Sequence, residues 1–244
     1  MLVLFIIKIP IYLFHFWLPK VHVEASTPSR IILAGLLLKF GTFGINFFIK
    51  ILRKTFLIVF FIISLIGIIF SNIICLIQRD LKAFLAFSRV VHINFLIFNF
   101  IVLNKIRKFS SFIIIISHGL ISTILFYLVG EVYKFNNSRL FYFIKRVFFN
   151  NWKFLFFCLL FFLFNIGLPI SLSFFSELIG FLSLYNFKKI FLIIIFIYFI
   201  YRFFYILFII FNFILGKQKI KTKENNNFNF INFVYLSLIY FLII

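Results

Sequence analysis

Apolar runs separated by short polar clusters organise this sequence. They cover about residues 2–18, 30–49, 55–77, 82–103, 110–130, 154–187 and 190–215, with a shorter run near 229–244. A helix needs about 17–25 apolar residues to cross a bilayer, so the first seven runs are long enough and the last is marginal. The 154–187 run is too long for one straight crossing. Asn165, Gly167 and Pro169 interrupt it, and glycine and proline break helices. It reads as two helices, or as one discontinuous helix, which brings the expected total to eight or nine helical pieces. Helices are expected because backbone groups in lipid must be satisfied within the segment, and no ten-residue alternating barrel pattern occurs. The expected fold class is all-α: a polytopic transmembrane helix bundle. Residues 1–216 form its membrane domain, and 217–244 form a polar loop plus a marginal C-terminal hydrophobic segment.

Composition agrees. Of 244 residues, 65% are hydrophobic and 12% charged, against about 45–50% and about 25% in soluble domains. One core cannot hide so much apolar surface, and a soluble globule is excluded. The charge balance is unusual: 25 Lys and Arg against 5 acids, a formal +20. In a soluble protein that would suggest nucleic acid. Here the basic residues cluster between apolar runs, which suits lipid head groups, so the bilayer is an expected partner and nucleic acid is not. The clusters fall on both sides of alternating spans and set no orientation. The 46 Phe and single Met fit a drift toward A/T-rich codons. Cys75 and Cys158 match no disulfide or metal spacing and read as small buried hydrophobes. The N-terminal run mimics a signal peptide, but Phe16-Trp17-Leu18-Pro19 follows where a small-residue cleavage site belongs.

The ionisable residues inside spans carry the chemistry. Each costs roughly 2.5–3.5 kcal/mol at a helix centre, so such residues face a bundle interior or water. Lys39, Arg89, His92, His118 and Glu177 stand out, with Lys82 at the start of its span. Gly41 and Gly44 follow Lys39 and are expected to loosen the helix and free carbonyls beside the ammonium. The alternative is a lysine snorkelling to the interface. Glu177 lies two turns after the Gly167–Pro169 break, where it serves either proton exchange or a structural hydrogen bond. Paired interrupted segments point to a transport site near the midplane. His92 and His118 are of the residue type that relays protons, though a buried histidine also serves structure alone. Lys82, after Arg79 and Asp80, reads equally as a helix-end residue. There is no phosphate loop, cysteine cluster or haem motif. The chain holds groups that move protons and nothing that holds electrons, so no cofactor and no metal is expected in it.

These residues fall into a recognisable series. The segment from Phe16-Trp17-Leu18-Pro19-Lys20 to Glu24-Ala25, followed by Leu33-Ala34-Gly35-Leu36-Leu37-Leu38-Lys39, closely resembles the subunit 4 family of mitochondrial NADH:ubiquinone oxidoreductase, respiratory complex I. So do Gln78 to Ser88, Ser117-His118-Gly119 with Phe126 to Glu131, and Gly167-Leu168-Pro169 through Ser176-Glu177-Leu178. The resemblance runs in order from about residue 12 to 215. It implies half of an antiporter-like fold in the mitochondrial inner membrane (a bacterial inner membrane is the other setting), surrounded by the other membrane subunits of complex I, including its antiporter-like siblings. It implies proton translocation coupled to NADH-to-quinone electron transfer, with NADH and ubiquinone used by the whole complex. Lys39, Lys82 and Glu177 match the family's proton-channel residues, and His92 and His118 match histidines that link them. Ala at Lys39 or Glu177 is then expected to reduce pumping without preventing assembly.

Two departures stand out. Family members are considerably longer, so the chain corresponds to about half a transport unit and Lys39 is expected to lack an acid partner within it. Phe87 to Asn94 stands where the family reads roughly YSSVxHMN, with Arg89 for Ser and Ile93 for Met. Ser29-Arg30-Ile31 stands where Ser-Met is usual, and Arg202 where Ser is ordinary. A standard-code translation of an invertebrate mitochondrial gene, in which AGA means Ser and ATA means Met, would produce this pattern. Two other readings therefore stay open: a stand-alone cation/proton antiporter subunit, and a non-functional translation of an organellar gene fragment.

Overall fold

The computed structural model describes residues 7–49, 51–101, 105–136, 138, 140–141, 152–169, 171–184 and 189–215. Among them the chain is helical: α1 (Trp17–Glu24), α2 (Thr27–Ile49), α3 (Lys54–Ile77), α4 (Leu81–Ile101), α5 (Lys105–Asn136), α6 (Trp152–Ile166), α7 (Leu172–Leu184) and α8 (Lys189–Leu215). By length and apolarity α2, α3, α4, most of α5 and the Phe196–Ile214 part of α8 can cross a membrane, while α6 and α7 are shorter. The expected segment 217–244 lies outside the described residues.

α4 is the axis of the bundle. It is buried around its whole circumference, as a helix enclosed by others is. Of its 21 residues only Phe87 escapes full burial. It packs against α1, α2, α3 and α5, so its polar side chains, Lys82, Ser88, Arg89, His92, Asn94 and Asn99, are all buried. α3 and α8 lie at the periphery. Phe56, Val59, Ile62, Ile66, Phe70 and Ile73 on α3, and Phe196, Ile200, Phe203, Phe204, Phe208 and Phe211 on α8, are exposed. Such wide apolar faces suit lipid.

Two expectations change. The 2–18 run is not one helix: Ile9 to Phe16 form bends and turns before α1. Pro10 removes a helical donor and disfavours helical backbone at Ile9, and Leu13 adopts φ 86°. Ile9 and Ile11 are nevertheless fully buried. In α2, Gly41 and Gly44 do not loosen the helix, which is regular from Leu38 to Ile49. Gly41 instead admits Ile9, whose Cγ1 would lie 2.8 Å from an added Cβ. The irregularity precedes Lys39. Leu33–Leu37 is a π-turn, with the Leu38 N–H donating to the Leu33 carbonyl. Such turns shift the register of the helix beyond them and are frequent at functional sites.

Gly67 on α3 lets that helix press against α4. A Cβ there would lie 2.7 Å from Asn94 Cγ and 2.8 Å from both Asn94 Oδ1 and Tyr12 Cβ. Asn94 cannot yield freely, because its Nδ2 donates to the Val90 carbonyl at 2.9 Å and its Oδ1 accepts from Tyr12 N–H at 3.4 Å. Gly67→Ala is therefore expected to destabilise the bundle by about 1–3 kcal/mol through overpacking. Thermal unfolding in detergent checks this; an unchanged melting temperature would mean that α3 and α4 are not so closely joined.

Candidate functional site

The site grows from the break between α6 and α7. In a continuous helix the Asn165 carbonyl would accept from the N–H of residue 169, but residue 169 is proline and has none. The chain turns instead at Gly167, whose φ of 87° is a left-handed conformation open to glycine. Ser171 N–H then donates to the Leu168 carbonyl at 2.8 Å, and α7 begins. The turn leaves the Asn165 carbonyl facing α8, where Arg202 Nε donates to it at 2.8 Å and Arg202 Nη2 donates to it as well. Glu177 follows on α7, and its Oε2 accepts from Arg202 Nη1. The carboxylate and the guanidinium are both buried, at 1% and 0% exposed.

The other carboxylate oxygen faces two histidines. His118 Nε2 on α5 lies 3.3 Å from Glu177 Oε1, and His92 Nδ1 on α4 lies 3.9 Å away. The two rings stack with centroids 3.8 Å apart. Arg202 Nη1 also donates to the Tyr198 hydroxyl at 3.0 Å, which sits 3.2 Å from His92 Nδ1. An arginine only donates, so the tyrosine oxygen accepts from it, which leaves its own proton for His92 Nδ1 or the Glu177 carboxylate. One hydrogen-bonded chain therefore joins Asn165, Arg202, Glu177, Tyr198, His92 and His118 across α4 to α8.

Lys39 reaches the same place. A Cβ on Gly119, the residue after His118, would lie 3.1 Å from Lys39 Cε. The lysine stem thus lies along α5 beside the histidine, in the space the glycine leaves. Lys82 is not in this cluster. It lies ten residues before His92 on α4, about 15 Å along the helix axis. It is 5% exposed, with Nζ 4.4 Å from the centre of the Tyr133 ring. Nearby, Glu131 pairs with Lys134 at 2.7 Å. Arg89 extends the cluster the other way. Its guanidinium lies over the Phe126 ring at 4.7 Å, and Nη1 donates to His22 Nε2 at 3.3 Å. Burial, and then the charges of Arg89 and Arg30, hold the His22 imidazole down to about 2, so it is neutral and free to accept.

His92, His118 and Glu177 each offer one ligand atom, all within 4.8 Å of one another. That spacing would admit a metal ion, but a divalent cation here would sit beside the Arg202 guanidinium. The arrangement fits a hydrogen-bonded acid better. Arg202, Tyr198 and Asn165 belong to the site although sequence reasoning did not assign them to it. The i, i+4 spacing of Tyr198 and Arg202, which puts both on one helix face, was the available signal.

The all-helical bundle, with its apolar spans and the break between α6 and α7, has the fold of the antiporter-like class of membrane subunit. The chain belongs to the NADH:quinone oxidoreductase/Mrp antiporter transmembrane family, whose model matches residues 1–204. It is 41% identical to the NADH-ubiquinone oxidoreductase chain 4 of Caenorhabditis elegans over 176 residues, which are 71% of this chain and 42% of that protein. It is 38% identical to the chain 4 of Ascaris suum over 76% of this chain and 45% of that one. The chain thus spans less than half the length of these curated relatives. Among solved structures, an archaeal membrane-bound sulfane sulfur reductase matches with TM-score 0.85 and 12% identity, over 98% of this chain and 50% of that chain. Respiratory complex I from Thermus thermophilus matches with TM-score 0.81 and 18% identity, over 98% and 52%. Both share the fold.

Proposed function

We propose that this chain is a proton-translocating membrane subunit of NADH:ubiquinone oxidoreductase, working in the mitochondrial inner membrane beside the other membrane subunits of the complex. NADH and ubiquinone are used elsewhere in the assembly, and this chain carries no redox group of its own. The observation that supports the reading best is the meeting of His92, His118 and Glu177 from three helices, with Lys39 packed beside His118.

The reading gives each group a role. Lys39 takes up and releases the proton at Nζ. His118 passes protons between the lysine and the carboxylate, through the contact of Nε2 with Glu177 Oε1. Arg202 fixes Glu177 by its other oxygen and orients Tyr198 against His92 Nδ1. Lys82, about 15 Å along α4 from His92, takes the proton at the far end of the axis. A change of charge at one group alters the protonation of its neighbour, so an electrostatic signal from quinone reduction moves along the row.

A tagged chain isolated from mitochondrial membranes tests the reading. It is expected to co-purify with an NADH-oxidising assembly that acidifies one side of its membrane when NADH is added. Isolation alone, with sodium/proton exchange in vesicles, would favour the stand-alone antiporter instead.

A further inference from the structure

Glu177 and His92 share one cluster but do not meet. His92 Nδ1 lies 3.9 Å from Glu177 Oε1, which is too far for a hydrogen bond. His118 offers no way round. Its ring lies face to face with that of His92, centroids 3.8 Å apart and planes 25° apart. The two nitrogens of an imidazole donate and accept at the ring edge, in its plane, so stacked faces pass no proton between them. His118 Nε2 does reach Glu177 Oε1, at 3.3 Å. The carboxylate is therefore in contact with the α5 side, while the step to α4, the helix that carries His92 and Lys82, needs another group.

The Tyr198 hydroxyl stands in that gap. It lies 3.2 Å from His92 Nδ1. Arg202 Nη1 donates both to it, at 3.0 Å, and to Glu177 Oε2, which draws the two oxygens together. The hydroxyl is within hydrogen-bond reach of the carboxylate. The phenol ring is fixed. It is 1% exposed, stacks on Phe95 with centroids 5.1 Å and planes 6° apart, and meets the edge of Phe199 at 5.0 Å. The C–O bond is thus aimed, and only the hydroxyl proton turns. With one lone pair given to Arg202, the oxygen keeps one site to receive a proton and one proton to give.

We infer that Tyr198 is the proton bridge between Glu177 and His92. The inference rests on the proton-translocating reading and adds a carrier to it. A protonated Glu177 passes its proton to the phenol oxygen as the phenol proton passes to His92 Nδ1. One O–H bond breaks at the carboxyl group and one at the phenol. A new O–H bond forms at the phenol and an N–H bond at His92. A carboxylate and an imidazolium result, the tyrosine is regenerated, and no electron moves. The step runs when Nδ1 is bare, and from the imidazolium it runs in reverse. The new hydroxyl then turns from Glu177 to His92 before the next transfer. Charge that builds on the phenol oxygen in passing faces the Arg202 N–H, a donor already in place.

Tyr198→Phe is the test, because it keeps the ring against Phe95 and removes the oxygen. In NADH-energised membranes, at matched levels of assembled protein, it is expected to lower proton movement about tenfold or more. A hydroxyl that only braced Arg202 would instead lower the melting temperature or the amount assembled. The rate per assembled protein would then be unchanged, and that result overturns the bridge. Lys39→Ala is measured beside it. Full movement in Tyr198→Phe with a loss in Lys39→Ala overturns the bridge alone, and full movement in both overturns the translocation reading too. If Tyr198→Phe does not assemble, 3-fluorotyrosine in place of Tyr198 keeps the hydroxyl and nearly the size, with a more acidic proton. Proton transfer follows the acidity of its carrier, so a change in rate of about twofold or more is expected. An unchanged rate there overturns the bridge.

Discussion

Glu177→Ala is expected to destabilise the bundle by about 3–5 kcal/mol, the range for breaking a buried ion pair from one side. The alanine itself is harmless. The loss comes from Arg202, which is fully buried, with Glu177 as its acid partner. The Asn165 carbonyl and the Tyr198 hydroxyl still accept from it, but neither carries charge. Arg202→Met in the same chain removes the stranded cation and is expected to restore most of the stability, because residues in one network are not additive. Thermal melts of the two single variants and the double variant give the coupling directly. A double variant no more stable than Glu177→Ala would sink the ion pair as the cause, as would a single variant that melts with the unaltered chain. This changes what Glu177→Ala can report about pumping. From sequence, an assembled but inactive protein is expected, whereas the ion pair makes assembly itself vulnerable. Pumping is therefore better compared in the double variant, which loses the acid without stranding the arginine.

The fold was legible wherever a run was long and uninterrupted. Spans near 30–49, 55–77, 82–103 and 190–215 match α2, α3, α4 and α8 to within a few residues, because apolar length is the requirement a bilayer imposes. The break in 154–187 was legible too, since Pro169 must leave the Asn165 carbonyl without its helical donor. The first run misled because apolar composition does not distinguish a helix from buried turns: Ile9 and Ile11 are as hidden as any helical core residue. The glycines after Lys39 misled because small residues serve two ends, loosening a helix or admitting a neighbour, and only Ile9 packed against Gly41 decides between them.

The site was half legible. An ionisable residue in an apolar run is conspicuous by itself, which is why Lys39, His92, His118 and Glu177 stood out. What each one touches is not written in the run. Arg202 looked like an intruder for that reason, and the structure gives it the partner a buried cation needs. The arginines at unusual positions now separate. Arg202 is held by Glu177 and Asn165, and Arg30 Nε donates to the Ala25 carbonyl at 2.9 Å. Arg89 instead lies over the Phe126 ring and donates to His22 Nε2. Serine at 202 would leave Glu177 facing the two histidines; serine at 89 would remove a charge and leave the ion pair intact. The codon at each position therefore changes a different part of the chemistry.

Lys39→Ala is expected to lower NADH-driven proton movement by about tenfold or more, since a lost proton-transfer group typically costs at least that, while the protein still assembles. The two halves of this expectation have separate causes. Lys39 is only partly buried, and it follows the π-turn on a helix whose fully buried residues, Leu38, Gly41, Thr42, Ile45 and Ile49, remain in place. Removing it strands no opposite charge, because Glu177 keeps Arg202. It does remove the ammonium beside His118, where the Gly119 backbone leaves room for the lysine stem. Lys39→Arg separates proton transfer from charge alone: guanidinium keeps the charge but does not give up its proton. If Lys39 works by releasing a proton, arginine fails as alanine does. If it works only as a fixed cation, arginine restores the rate. Proton movement in NADH-energised membranes is compared at matched levels of assembled protein. Full movement in Lys39→Ala removes Lys39 from the axis, and rescue by Lys39→Arg leaves it there as a fixed charge and not as a carrier.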